Sequence, residues 1–563
     1  LLKEKELNLM SYILGSVILA SISFNIIFKY KWLALIIASC FFIFIYYKSS
    51  LFITFITILI FLVSITNNIF YYKYIPNNIE EIKVTSLNFY GGIGEVQGRK
   101  VYLAGKIKNL NIGEKILVTG EFEKNTKITK GIIGNYKINT IEKKFEGISR
   151  KLYKIREDIF YKIKEKLGWR RGSLVSSIAF GYTEFLDIED KNEMKNLGVL
   201  HAIAVSGMHM ALVYLVLKKI FGSKLAPFIA FFYVIFTGAS VSTIRAYIML
   251  LCTSMAMPLK RNYNPISSLS LAGTILIFMK PYCIFEVGFQ LTFMATLGII
   301  LFNKALNKKL YKLPKYIRES LSICISAQIF TLPVLIIYFK EFSLGFILGN
   351  LVISPIISLI IILGNLLVLT FKIPFIFNYL CFIVHYCTVL IDIFTNWIMN
   401  IMPEIIYVNE SLAFLYLSII MAYYFYKKGY KKFIYFPYIM LIYVIIVIYS
   451  PIPKIEYYKD GGILLSYRGD RVLVKTKSKA NLEKLERISL ATNTYKEIEK
   501  IKINKYINIK KSGKDFILNT NGKLYSLKVS SFEKKEDEYD IIDFNNGSFD
   551  KILILKNKVL RLD

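Results

Sequence analysis

The sequence predicts a polytopic α-helical membrane protein of about 13 transmembrane helices, with an external OB-like β-barrel insertion and a small, mostly-β C-terminal domain. Three observations lead there. Apolar residues make up 55% of the 563, above the roughly 45–50% of an ordinary soluble domain, and they gather in runs near the roughly 20 residues that span a bilayer. Two stretches, residues 80–146 and 454–563, replace those runs with short alternating segments and turn residues. Finally, the formal net charge is +32, a balance that suits anionic lipid or nucleic acid equally well. All six cysteines lie in apolar runs, so neither a disulfide framework nor a zinc site is indicated. No Gly-rich loop followed by Lys-Ser/Thr occurs, so no nucleotide site and no cofactor are expected.

Residues 1–75 read as three closely spaced membrane helices, broken at Lys29-Tyr30-Lys31 and Tyr47-Lys48. Their faces are almost free of polar groups, which suits anchoring. The first run ends in lysines rather than a small-residue cleavage site, so it reads as a helix and not as a cleaved signal.

Residues 80–146 alternate with a period of two around Lys100-Val101-Tyr102-Leu103 and residues 115–122, with turn chemistry at Gly91-Gly92, 111–113 and 131–135. This suits a small five-stranded barrel of the OB type, a fold that often binds single-stranded nucleic acid through basic grooves and stacking aromatics. Lys100, Lys106, Lys108 and Lys124 with Tyr102 and Phe122 are the candidates for such contacts, joined by Lys127, Lys130, Tyr90 and Tyr136. A solvated basic β-module without a ligand fits the same residues. Residues 147–171 then form an amphipathic helix. Ile148, Leu152, Ile155, Ile159, Ile163 and Leu167 make one stripe, and lysines and arginines make the other face. It reads as a helix lying on anionic headgroups.

Residues 172–450 hold the remaining apolar runs. Residues 174–182 are too short to span and read as a buried or re-entrant helix; about ten helices follow, beginning with 197–217 and 225–241. The first of these carries His201, Ser206, Gly207 and His209, two of the three histidines in the chain. On a helix His201, Val205 and His209 share a stripe, and Ser206-Gly207 removes bulk beside it. Ionisable residues inside a membrane mark a pathway or site by default; histidines that only bind neighbouring helices are the alternative. Arg245 follows the hydroxyl-rich run Thr237-Gly238-Ala239-Ser240-Val241-Ser242-Thr243. An unpaired charge at the membrane centre costs at least about 2.5–3.5 kcal/mol, so Arg245 should face water or a partner, and its planar fork suits phosphate. Snorkelling to the interface is the alternative. Gln290 beside Gly288 suits helix cross-linking. Gln328 and Asn350 stand near Pro333 and Pro355, either on a polar path or satisfying the breaks those prolines make. His385 reads as structural.

The basic loops (Lys218-Lys219-Lys224, Lys260-Arg261, 304–318 and Lys427-Lys428 with Lys431-Lys432) all fall on one side if the spans alternate. That side is assigned to the cytoplasm, so the barrel and the C-terminal domain face outward. In residues 454–563 strands are expected at 462–465, 471–475, 516–518 and 552–555, with a helix near 480–489. Asp537, Asp540, Asp543 and Asp550 read as a solvated acidic face. No histidine follows His385, so no metal-dependent hydrolysis is expected.

The segment His201-Ala202-Ile203-Ala204-Val205-Ser206-Gly207-Met208-His209 resembles the His-Leu-x-Ala-x-Ser-Gly-x-His signature of the ComEC competence family, inner-membrane channels for DNA uptake in transformation. Arg245-Ala246, residues 286–293, Gln328 with Pro333, and Leu348-Gly349-Asn350-Leu351 with Pro355 resemble further family segments, so the resemblance covers about residues 80–450. It implies a channel in the cytoplasmic (inner) membrane passing one strand of DNA, with the OB-like domain in contact with DNA. The path candidates are then His201, Ser206, Gly207, His209, Arg245, Gln290, Gln328 and Asn350. Implied partners are single-stranded DNA, membrane lipids, a cytoplasmic ATP-driven helicase, a periplasmic or surface DNA receptor and a separate nuclease. Many such proteins end in a metallo-β-lactamase-like domain; Lys459-Asp460-Gly461-Gly462 echoes its opening turn only faintly, and its His-x-His-x-Asp-His cluster cannot be built here. A transporter or flippase for a smaller anion is the alternative function.

Overall fold

A computed structural model describes residues 9–28, 30–88, 91–108, 110–256, 258, 260, 262–402, 405–478, 480–496, 499–502, 507–513, 515–529, 539–544, 550–555 and 558–562. The chain divides into two compact units, Leu1–Thr331 with Ser343–Glu404, and Leu332–Phe342 with Ile405–Asp563.

The first unit opens with helices α1 (Leu9–Ile27), α2 (Lys31–Lys48) and α3 (Leu51–Lys73). Strands β1 (Ile79–Asn88), β2 (Gly91–Val96), β3 (Arg99–Gly105), β4 (Lys115–Glu123) and β5 (Ile132–Phe145) follow. They close into a barrel in the order β1-β2-β3-β5-β4. β3 and β5 run parallel, and β1 closes antiparallel onto β4. Alternation puts Ile82, Val84, Val101, Leu103, Ile116 and Val118 inside. Tyr136 is fully buried among them and donates its hydroxyl to the Asn78 carbonyl at 2.8 Å, so it is a core residue and not a stacking platform. Tyr90 lies outside the described residues.

α4 (Ile148–Leu167) does not rest on headgroups along its whole apolar stripe. Ile159, Ile163 and Leu167 are buried with Phe160 in the protein core, and only the first turns leave Ile148 and Ile155 exposed. Beside it α5 (Trp169–Phe180) is short, and every residue from Gly172 to Phe180 is buried. After α6 (Ile188–Asn196) the expected helix over 197–217 does not start at 197. Residues 200–202 make a 3₁₀ turn, 203–206 are non-helical, and α7 (Gly207–Phe236) begins at Gly207. α7 is broken at Gly222, at φ 74° and ψ 174°. His209 and Tyr233 reach the adjacent carbonyls of Ile178 and Ala179, although a straight helix would hold them some 36 Å apart at about 1.5 Å per residue. The two arms therefore fold back at Gly222, at the basic turn the sequence places there.

α8 (Val241–Ala256), α9 (Pro265–Met279), α10 (Val287–Lys309) and α11 (Lys315–Phe339) follow. The unit closes with the single turn α12 (Phe346–Leu348), a π-helical turn Gly349–Ile353, α13 (Ser354–Thr370) and α14 (Pro374–Ile401).

The second unit holds the short pair β6 (Glu341–Phe342) and β7 (Ile406–Tyr407), then α15 (Ser411–Lys427) and α16 (Phe436–Ile448). Its six-stranded sheet contains β8 (Lys454–Tyr458), β9 (Gly462–Tyr467), β10 (Asp470–Lys475), β11 (Asn493–Tyr495), β17 (Lys551–Leu555) and β18 (Lys558–Leu562). Its five-stranded sheet contains β12 (Lys500–Lys502), β13 (Ile507–Ser512), β14 (Asp515–Thr520), β15 (Lys523–Lys528) and β16 (Asp540–Asp543). Ile455, Ile463 and Ile552 of the first sheet share one core with Phe516, Leu518 and Ile542 of the second. α17 (Leu482–Ser489) packs on the first sheet through Leu485. Among the described residues nine helical stretches are long and apolar enough to cross a bilayer, as a polytopic membrane protein requires, and α8, α9 and α15 are shorter apolar helices.

Candidate functional site

The end of buried helix α5 organises this part of the first unit. The last carbonyls of a helix have no partner within it, and here side chains from other helices supply them. His209 is fully buried, and its Nε2 donates to the Ile178 carbonyl at 2.6 Å. Asn365 Nδ2 donates to the Ala179 carbonyl at 3.2 Å, and the Tyr233 hydroxyl reaches the same oxygen at 3.5 Å. Gly364 brings α13 this close: a Cβ there would stand 2.4 Å from Ala179 Cβ.

His209 also closes α7. Ser206 is the N-cap, its hydroxyl accepting from Met208 N at 3.3 Å, while His209 Nδ1 accepts from Ser206 N at 3.1 Å. This is a capping box with histidine in place of the usual Glu or Gln. With Nδ1 accepting and Nε2 donating, only a neutral imidazole fits both bonds. His201, by contrast, is exposed on its 3₁₀ turn. The helical stripe His201–Val205–His209 does not exist, because the chain is non-helical between the two histidines.

Arg245 of α8 is 7% exposed. Its Nη1 donates to the Thr292 carbonyl of α10 at 2.8 Å, and its Nε is buried with no partner. Nη2 lies 3.0 Å from where a Cβ on Gly207 would stand, so the absent side chain of Gly207 is what admits the guanidinium to the first turn of α7. Beside it Ser242 and Thr292 hydroxyls meet at 3.3 Å. Ser206, Gly207, His209 and Arg245 thus form one cluster.

Gln290, Gln328 and Asn350 do not join it. Gln290 Nε2 donates to the Ile284 carbonyl at 3.0 Å. Gln328 accepts from Thr331 at 2.6 Å within α11. Asn350 donates to the Phe346 carbonyl at 2.7 Å and accepts from Ser354, tying the π-helical turn together. Gly288 faces open space and makes no close helix contact. Gly349 does, since a Cβ there would stand 2.1 Å from the Leu197 carbonyl.

The barrel is mounted on this unit through Lys100. Its Nζ pairs with Glu286 at 3.0 Å, at the N-cap of α10, and lies 4.2 Å from the Tyr282 ring centre. Tyr71 of α3 donates to the Gly131 carbonyl and accepts from Lys100 N, and Tyr72 donates to the Ile128 carbonyl. Lys100 is therefore committed to the mount rather than free for a ligand. Phe122 packs against the barrel core, covering Gly134. Tyr102, Lys106, Lys108 and Lys124 remain exposed, Lys106 and Lys108 beyond the end of β3 and Lys124 beyond the end of β4. Since Tyr102 pairs across to Asn135 and Glu123 does so from the other side, Tyr102 and Lys124 flank one stretch of β5.

The family model described as competence protein matches residues 178–428. Over residues 178–428 the chain is therefore similar to the competence protein family. Within the curated proteins, "ComE operon protein 3" of Bacillus subtilis (strain 168) is 26% identical over 259 residues, covering 44% of this chain and 33% of that protein. An "Uncharacterized protein" of Aquifex aeolicus (strain VF5) is 29% identical over 158 residues, covering 27% of this chain and 38% of that protein. The matches thus span about a third of each relative's length. No solved structure matches the chain significantly.

The competence segment contains the whole His209–Arg245 cluster. It also contains residues that sequence reasoning passed over. Thr292 anchors Arg245, and Tyr233 and Asn365 cap α5; each is a polar residue in an apolar run, a signal no different from many others in this chain. Arg170 and Arg171 pair instead with acids far along the chain. Arg170 meets Asp190 at 2.7 Å and Asp392 at 3.4 Å, and Arg171 meets Asp392 and the ring of His385. Burial pushes the Asp190 carboxyl up from its ordinary value, against the pull of Arg170. Arg156, on the face of α4 assigned to headgroups, has a buried Nε without a partner and lies near Gly238.

Proposed function

We propose that this protein is a membrane channel that passes single-stranded DNA into the cytoplasm during natural transformation. The observation that carries the reading is the competence-family match over residues 178–428, which encloses a buried arginine without a carboxylate partner. The barrel's strand order, with β3 parallel to β5 and β1 closing onto β4, supports an OB-type module. In this reading exposed Tyr102 and Lys106, Lys108 and Lys124 meet the strand by stacking and charge. α10 then links reception to passage. It carries the barrel mount at Glu286 and, some 9 Å further along at about 1.5 Å per residue, the Thr292 carbonyl that holds Arg245.

The channel lies in the cytoplasmic (inner) membrane with the barrel and the C-terminal domain outside. A cytoplasmic ATP-driven helicase supplies the work, a periplasmic or surface receptor delivers the duplex, and a separate nuclease degrades the other strand. The chain itself breaks no bond. A transporter or flippase for a smaller anion is the second reading, favoured by the same lone arginine.

The test is accumulation of labelled duplex DNA in the cytoplasm of the host with the gene deleted, then restored as wild type or Arg245→Ala. Loss on deletion, rescue by wild type and failure of a normally abundant Arg245→Ala variant are expected. Undiminished cytoplasmic DNA in the deletion strain refutes uptake and favours the small-anion reading.

A further inference from the structure

We infer that the Nε–Nη2 edge of Arg245 and the first turn of α7 at Gly207 form a seat for a single phosphodiester monoanion. Among the described residues, the only hydrogen bond of Arg245 runs from Nη1 to Thr292. The opposite edge of the guanidinium, with Nε and Nη2 pointing the same way, is a two-pronged donor, and its Nε is buried without a partner. No carboxylate lies within ion-pair distance of it among the described residues. Nη2 is directed at Gly207, the first residue of α7.

The electrostatics require an occupant. A helix start carries roughly half a positive charge, met here only by the neutral Ser206 and His209 cap, and the buried guanidinium beside it adds a full one whose hydrogen-bond partner is the neutral Thr292 carbonyl. Such an arrangement costs stability unless an anion completes it. Two parallel N–H donors match two oxygens of one phosphate, and helix starts accept such oxygens readily. The guanidinium carries one unit of charge, which one phosphodiester monoanion neutralises. A phosphodiester stays monoanionic across the physiological range. Gly207 is what lets the fork come up to the helix start, since a Cβ there would stand 3.0 Å from Nη2. That the diester comes from a nucleic-acid strand rests on the uptake reading; the anion seat itself does not.

The experiment uses the full chain in lipid-free detergent micelles, with thermal unfolding followed at constant ionic strength. The probes are thymidylyl-thymidine, which carries one phosphodiester, inorganic phosphate, and phosphatidylglycerol, with chloride as the control. Thymidylyl-thymidine is expected to raise Tm by about 2–3 °C at a hundredfold excess over Kd. Arg245→Lys keeps the charge and loses the fork, so binding weakens about tenfold or more. Arg245→Met abolishes the shift while leaving the unliganded Tm equal to or above wild type. A merely structural arginine would instead lower the unliganded Tm when removed, and that result overturns the seat. Equal shifts in wild type and Arg245→Met overturn it too. A shift with phosphatidylglycerol alone overturns the strand as its source. If the seat fails while deletion still abolishes DNA uptake, the channel reading stands without it.

Discussion

His209→Leu separates a structural histidine from one on the path. The ring makes two bonds deep in the protein, to the Ile178 carbonyl at 2.6 Å and from Ser206 N at 3.1 Å. Leucine is close to histidine in volume, so little cavity opens, but both backbone groups lose their partner. A buried unsatisfied polar group costs about 1–3 kcal/mol, so two cost about 2–6 kcal/mol together, with the low end favoured if water reaches Ser206. At about 2.1 cal/mol/K per residue, a unit of roughly 390 residues shifts by about 1.2 °C per kcal/mol, so Tm should fall by roughly 2–7 °C. His209→Gln, which offers both a donor and an acceptor, should recover part of that loss. The assay is thermal unfolding of both variants in micelles, paired with DNA uptake normalised to folded protein in the membrane. The expected pattern is a fall in Tm for leucine, partial recovery for glutamine, and uptake per folded molecule that follows the fold. A His209→Leu variant with native Tm and lost uptake would refute the argument, because the ring would then be acting on the substrate instead of holding α5 to α7.

Two other perturbations follow from the geometry. Gly131→Val should release the barrel: φ is +71°, and a Cβ would stand 2.2 Å from the Tyr282 ring. Strain of about 1–2 kcal/mol adds to about 1–3 kcal/mol of overpacking. Proteolysis between residues 74 and 79 should accelerate, whereas Lys100→Met, which breaks a half-exposed pair worth about 1 kcal/mol or less, should change it little. Equal cleavage of the valine variant and wild type would exclude this mount. In the C-terminal unit, burial pushes the Glu456 carboxyl up, but Lys454, Lys551 and Arg471 outweigh it and hold it below its ordinary 4.5. A depressed acid contributes stability that is full above its unfolded value and is lost as pH falls through the folded one. Hydrogen-exchange protection of residues 454–467, corrected for intrinsic rates, should therefore drop below pH 4.5. In Glu456→Gln it should start about tenfold lower and lose that pH dependence; an unchanged acid limb in the variant would show the carboxylate contributes nothing.

Much of the fold was legible because periodicity records how a residue's neighbourhood is divided. The alternation around Val101 and Leu103, the short buried run at 174–182 and the strand at 471–475 are local patterns that took the form expected, whereas the helix expected over 197–217 begins only at Gly207. Charge type alone was less informative. Lys100 and Lys106 look alike in the sequence, yet one is tied to Glu286 and the other is exposed. Phe122 and Tyr102 look alike too, but the barrel turns one toward its core and the other outward.

By itself the sequence determined that the chain suits a membrane, that a basic β-module interrupts the helices, and that residues 201–209 and Arg245 stand out chemically. These follow from composition and from contacts within a few residues. Only the tertiary structure decided that His209 is a cap, that His201 is not its partner, and that Arg245 meets Gly207. The reason is physical: a hydrogen-bond donor's role depends on which acceptor lacks a partner, and the Ile178 carbonyl and the first turn of α7 come within reach only when distant helices pack.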